Sequence, residues 1–214
     1  MNQLHNTVEF KNTPPTLLAV GAAWLLAVLI GSQSGIFSAL YQPLIGAIVG
    51  VSIVLPVVWY ACSVNLRQFM AAVGQRRIMM LHTWRIPAAL AFFWYGAHGQ
   101  LPPLFWMLAG VGDMIAGSLA LYFLFKPESP KRYWVFHSFG FLDFVVAVGT
   151  GLTYTLLQDA RMAPVAVLPL ALIPLFGVGI SGATHLIAFD MLRRGVGMKP
   201  QALQDKTTNP LPVK

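Results

Sequence analysis

Cysteine is nearly absent from this chain of 214 residues, Cys62 being the only one. A lone thiol excludes an internal disulfide framework and any cysteine-based zinc site contained within one chain. Charge is scarce as well. Charged residues make up 10% of the sequence against 57% hydrophobic, too little polar side-chain material to cover a water-soluble globule. Such a chain must be solvated by lipid. No lysine lies in a long apolar run, which removes a retinal Schiff base, and no arginine series at every third position marks a voltage sensor. A Walker loop, a GxGxxG after a strand, HExxH and GxSxG are all missing, so soluble-type catalysis has no support. The alternation of a transmembrane β-barrel is missing too.

What is present is a succession of apolar runs. A span needs about 20 mostly apolar residues to cross roughly 30 Å of hydrocarbon. Six segments meet this, near Pro15 to Gly31, Gln42 to Cys62, Ile78 to Ala97, Pro102 to Phe125, Tyr133 to Leu157 and Ala163 to Met191. Glycine and proline interrupt each of them, as membrane helices allow. The first fourteen residues are polar and no small-residue cleavage site follows, so the first run is expected to be a retained span.

Lysine and arginine set the orientation, because cytoplasmic loops retain them. Twelve fall on one side: Lys11, Arg67, Arg76, Arg77, Lys126, Lys131, Arg132, Arg193, Arg194, Lys199, Lys206 and Lys214. Only Arg161 falls on the other, and Arg85 lies inside a span. The expected architecture is an all-α integral membrane bundle of six transmembrane helices, N-in and C-in. Residues 1–14 form a cytoplasmic tail, 15–194 the bundle and 195–214 a disordered cytoplasmic tail. The partner this implies is the lipid bilayer of a plasma (inner) membrane, and the net charge of +7 reads as inner-leaflet anchoring and not as nucleic-acid binding. With so small a bundle and no soluble domain, a homodimer or a partner membrane subunit is expected.

One repeat is visible. RRIMMLH at 76–82 and KRYWVFH at 131–137 place a basic pair, four mostly apolar residues and a histidine in the same order. At about 1.5 Å of rise per residue, His82, His137 and His185 each lie roughly 9–12 Å inside the basic boundary. Three helices thus bring three histidines to one depth. By the same count Arg85, Asp113 and Asp143 form a second layer near the middle of the bilayer.

Charge at that depth must be compensated, since one charged side chain at the bilayer centre costs about 2.5–3.5 kcal/mol on insertion scales. Arg85 keeps its proton, so Asp113 or Asp143 is its expected partner, and the other aspartate would be left without a counter-charge. In the sixth span Gly177, Ser181 and His185 recur at intervals of four, a stripe of small residues that turns His185 toward protein. Asp113 shares a side of its span with Gly110 and Gly117. His137 and Asp143, six apart, are expected to meet different neighbours. Tyr41, Trp59, Tyr60, Trp94, Tyr95, Tyr133 and Trp134 read as interfacial belts.

The stretch from Gln75 to Arg194 resembles a group of small bacterial multi-pass inner-membrane proteins with no established activity. The likeness rests on RIPAALAFFWYG, LPPLFWMLAGVGD, FGFLDFVVAVGTG and LPLALIPLFGVGI followed by His185. It implies a bacterial inner-membrane setting and nothing about mechanism.

Three readings follow. In the first, a small permease or ion-coupled carrier uses Asp113 and Asp143 to bind a proton or cation, Arg85 to tune them or hold an anion, and the histidines to relay protons. In the second, His82, His137 and His185 are metal ligands, either of catalytic zinc acting on a lipid or, two at a time, of b-type haem. In the third, a non-catalytic assembly subunit uses its buried charges to sit beside a partner. No cofactor is required by the first and third.

Overall fold

The computed structural model describes residues 13–198, all of them helix, turn or short connection, with no strand among the described residues. The helices are α1 (Thr13–Gln33), α2 (Ile36–Ala39), α3 (Gln42–Cys62), α4 (Val64–Leu81), α5 (Arg85–Ala97), α6 (Pro103–Leu124), α7 (Pro130–Leu156) and α8 (Val178–Arg193). Among the described residues, five stretches are long and apolar enough to cross a membrane: Pro15–Gln33, Gln42–Cys62, Pro103–Leu124, Pro130–Leu156 and Ile173–Arg193. Large apolar side chains such as Leu18, Ile30, Leu55, Leu90, Leu142 and Phe125 cover the outer surface. That surface fits hydrocarbon and not water.

The stretch expected to be the third span is not one helix. A 3₁₀ turn at His82–Trp84 separates α4 from α5. The cause is Pro87, which has no N–H to give and whose ring crowds the carbonyl four residues earlier, at Thr83. α4 is itself bent at Gly74, where φ is 81°. The sixth expected span also begins later than its composition suggests. Pro164, Pro169 and Pro174 hold Ala160–Ala166 as a 3₁₀ stretch and Ile173–Gly177 as a single wide π-turn before α8 starts.

Close approach explains which helices touch. A Cβ on Gly179 would stand 2.4 Å from Ser52 Oγ, so α8 lies directly on α3 there. Gly110 likewise admits the Phe93 ring to α6. Apolar clusters fill both ends of the bundle. One contains Phe92, Leu101, Phe105, Met162 and Leu170, and the others, at the basic end, contain Tyr60, Ile78 and Met191 or Met79, Tyr133 and Phe136. Between these clusters lie the buried Arg85, Asp113 and three histidines, with Asp143 half-buried beside them.

The aromatic belts need correction at two positions, since Tyr60 and Tyr133 are buried. Tyr60 donates to Asp190 Oδ2 at 2.6 Å and also meets Arg194, so its hydroxyl closes a contact between α3 and α8. At the opposite end Arg161 is paired with Asp159 at 2.5 Å, and the guanidinium holds that carboxyl below its usual range. The segment after α8 folds back on the bend of α4, where Gln75 N donates to Gly197 O at 2.7 Å. Residues 195–198 are therefore packed, contrary to the expected tail boundary. The remainder of that tail, 199–214, and the N-terminal residues 1–12 lie outside the described residues.

Candidate functional site

Two buried polar groups meet in the middle of the bundle, each assembled from three elements. The first is centred on Arg85, placed at the start of α5 by the turn that Pro87 imposes. Its Nε donates to Asp113 Oδ1 at 2.6 Å, its Nη2 to Asp143 Oδ2, and its Nη1 to the Gly140 carbonyl at 3.3 Å. One guanidinium thus holds both carboxylates, and the expectation of an unpaired aspartate is overturned. The planar fork of arginine has donors enough for this, whereas lysine would offer a single point charge.

Missing side chains make the arrangement possible. A Cβ on Gly112 would stand 1.4 Å from Asp143 Oδ1, so the Asp143 carboxylate occupies the notch that Gly112 leaves in α6. On the same helix Gly117 brings α5 close, with Ile86 N 3.0 Å from where its Cβ would be.

The second group is the histidine layer. His82, His137 and His185 are each fully buried, and one ring nitrogen from each lies within 4.8 Å of the others. His137 Nδ1 and His185 Nδ1 are 2.9 Å apart and share a hydrogen bond, while the His82 ring stacks on His185 at 4.1 Å. Thr184 Oγ1 donates to Ile180 O at 2.8 Å and lies 3.3 Å from His82 Nε2. With its proton committed to that carbonyl, the hydroxyl accepts from His82 Nε2–H, which leaves the His82 lone pair on Nδ1.

Gly140 joins the two groups. Its carbonyl accepts from Arg85, and a Cβ there would stand 2.6 Å from His185 Cε1 and 3.4 Å from Arg85 Nη1. His137, Gly140 and Asp143 are spaced by three, so each slips about 60° around α7. That spread lets one helix serve both layers, and His137 and Asp143 meet different neighbours, as their spacing of six implies: His185 and His82 for the one, Arg85 and Gly112 for the other.

Trp84, which no sequence pattern singles out, is the neighbour of the small-residue stripe on α8. Its ring lies on Gly177, where a Cβ would meet Cη2 at 2.3 Å, and its Nε1 donates to Ser181 Oγ at 3.0 Å. A cavity of about 90 Å³ lies beside it, lined by Phe92, Phe105 and Phe144 together with Arg85, Asp113 and Ser181. At about 10–15 Å³ per water it has room for several, held where its polar residues line it.

Haem does not fit the histidines. Their rings touch one another and Phe136, which leaves no slot for a porphyrin between any two. A lipid-cleaving zinc site also lacks support, because it needs an open coordination position that substrate can reach, and the three side chains are enclosed.

Residues 42–193 match a domain of unknown function, DUF8737, a range that starts at α3 and includes all six site residues. No curated protein and no solved structure is similar to the chain. Since the match covers well over half of the sequence, the chain belongs to the DUF8737 family.

Proposed function

We propose that the protein is a small six-span carrier, coupled to protons or another small cation, that lies in a bacterial inner membrane with both termini in the cytoplasm. The observation that carries this is the single guanidinium held between two carboxylates, with Arg85 and Asp113 lining a cavity inside the bundle. With both aspartates ionised the group has one negative charge in excess, and a proton or cation that enters the cavity neutralises it. Unbalanced charge at this depth is costly, so filling and emptying the site is tied to a change of packing. From there the contacts run through Gly140 to the histidines and so toward the basic end.

The sixth span in this reading is the divided segment 75–97, whose 23 residues reach about 34 Å at 1.5 Å each. An interrupted helix whose turn delivers Arg85 to the centre suits a carrier, because non-helical backbone at membrane depth is tolerated where it lines a cavity or lies inside protein. The basic residues at one end of the bundle supply the orientation.

The test is proton flux into liposomes driven by a potassium diffusion potential and read with an internal pH dye. Asp113→Asn and Asp143→Asn are each expected to abolish the flux while the protein remains folded by size-exclusion and thermal unfolding. Wild-type flux in both variants would refute the carrier.

A further inference from the structure

Hydrogen bonding within the histidine layer leaves three ring nitrogens unused. His82 Nδ1, His137 Nε2 and His185 Nε2 are buried and have no partner. Buried polar atoms are nearly always satisfied, and three orphans in one cluster are unusual. Each neutral imidazole also carries one lone pair, which is what a metal ion takes.

We propose that His82, His137 and His185 form a binding site for a borderline divalent first-row cation of the zinc, cobalt, nickel and copper class. The donor set is three imidazoles with no thiolate, which suits these ions and disfavours the hard cations magnesium and calcium. Tetrahedral zinc at about 2.0–2.1 Å from each nitrogen would set the donors roughly 3.4 Å apart. The present limit of 4.8 Å means that the rings close by on the order of 1 Å, and that the hydrogen bond between His137 Nδ1 and His185 Nδ1 is given up on binding, so that each ring presents a lone pair to the ion.

Two features of the surroundings match a metal centre. Thr184 Oγ1 fixes His82 by accepting from Nε2, the role that a hydrogen-bonded partner plays for a metal-bound imidazole. The neighbouring Arg85, Asp113 and Asp143 carry one net negative charge when ionised, which offsets part of the charge of a divalent ion. Ring stacking alone accounts for neither the three unpartnered ring nitrogens nor the Thr184 contact.

Binding and transport are separable. A chain that moves protons but takes no metal keeps the carrier and loses this site, and a chain that binds metal without moving protons does the reverse.

The experiment loads the full chain in detergent micelles with Co²⁺, removes unbound ion by desalting, and measures metal per protein together with X-ray absorption at the cobalt edge. One Co²⁺ per chain with scattering from three imidazoles is the expected result. His82→Gln, His137→Gln and His185→Gln should each lose the ion on desalting, and His98→Gln should retain it. Thr184→Val is expected to weaken binding by about tenfold to a hundredfold, with Thr184→Ser restoring it. Should the histidine variants fail to fold, the absorption spectrum of the wild-type chain decides the matter alone. Metal far below one per chain, an oxygen-only shell, or retention in all three folded variants would overturn the site.

Discussion

Arg85→Met is expected to be the most damaging single substitution in this chain. It removes the one cation between Asp113 and Asp143 and leaves two carboxylates facing each other in the interior. Breaking a buried pair in this way costs about 3–5 kcal/mol, because the surviving charge keeps its desolvation penalty and loses its compensation. Replacing the whole group with neutral residues of similar volume is often tolerated, so the triple variant Arg85→Met, Asp113→Asn, Asp143→Asn should recover most of the loss. Thermal unfolding in detergent measures both. A single variant within about 1 kcal/mol of wild type would mean that the carboxylates are already neutral without Arg85, and that charge compensation is not what Arg85 supplies. A triple variant no better than the single one would assign the cost to arginine's packing and not to its charge.

The double role of Arg85 shows where the sequence was readable and where it was not. Depth was readable. A rise of about 1.5 Å per residue, counted from the basic residues at the span ends, put three histidines in one layer, and their ring nitrogens do lie within 4.8 Å. The stripe Gly177, Ser181 and His185 also faced protein, with Trp84 and His82 against it. Met79 and Met80, as neighbours on a helix must, fall on different sides, one buried and one exposed.

Rotation and adjacency were much less readable. Whether Asp113 or Asp143 meets Arg85 depends on how α5, α6 and α7 turn about their axes. Apolar periodicity does not fix that turn when lipid and core are equally apolar. The clue was a small residue: in GVGD the glycine that matters to Asp143 is Gly112, overshadowed by the adjacent and more conspicuous Asp113. The break in the third span was similarly hidden, because Pro87 acts on the carbonyl at Thr83 and so displaces its effect one turn toward the N-terminus. Tyr60 and Tyr133 sit close to span ends by number, yet side chains of α4 and α8 pack over both. Nearness to a boundary in sequence sets depth alone, not which way a ring points.

Gly112→Ala is the second large effect, and it isolates geometry from charge. The added methyl would sit 1.4 Å from Asp143 Oδ1 and 2.3 Å from its Cγ, so it cannot coexist with the present carboxylate position. Either Asp143 rotates away and releases Arg85, or α6 and α7 move apart and open the contacts around Gly140. Both routes break the buried pair, and the expected loss approaches the same 3–5 kcal/mol, although no charge is removed. Gly149→Ala on α7 is the control. Nothing lies within 4 Å of its Cβ position, so it should be neutral or stabilise by up to about 1 kcal/mol through helix propensity. Unfolding midpoints of the two variants, with Gly112→Ala repeated in an Asp143→Ala background, complete the test. Because the smaller side chain empties the notch, the glycine substitution should cost clearly less there than in the wild-type chain. An equal cost in both backgrounds would show that the α6–α7 backbone contact, and not the aspartate, demands glycine at position 112.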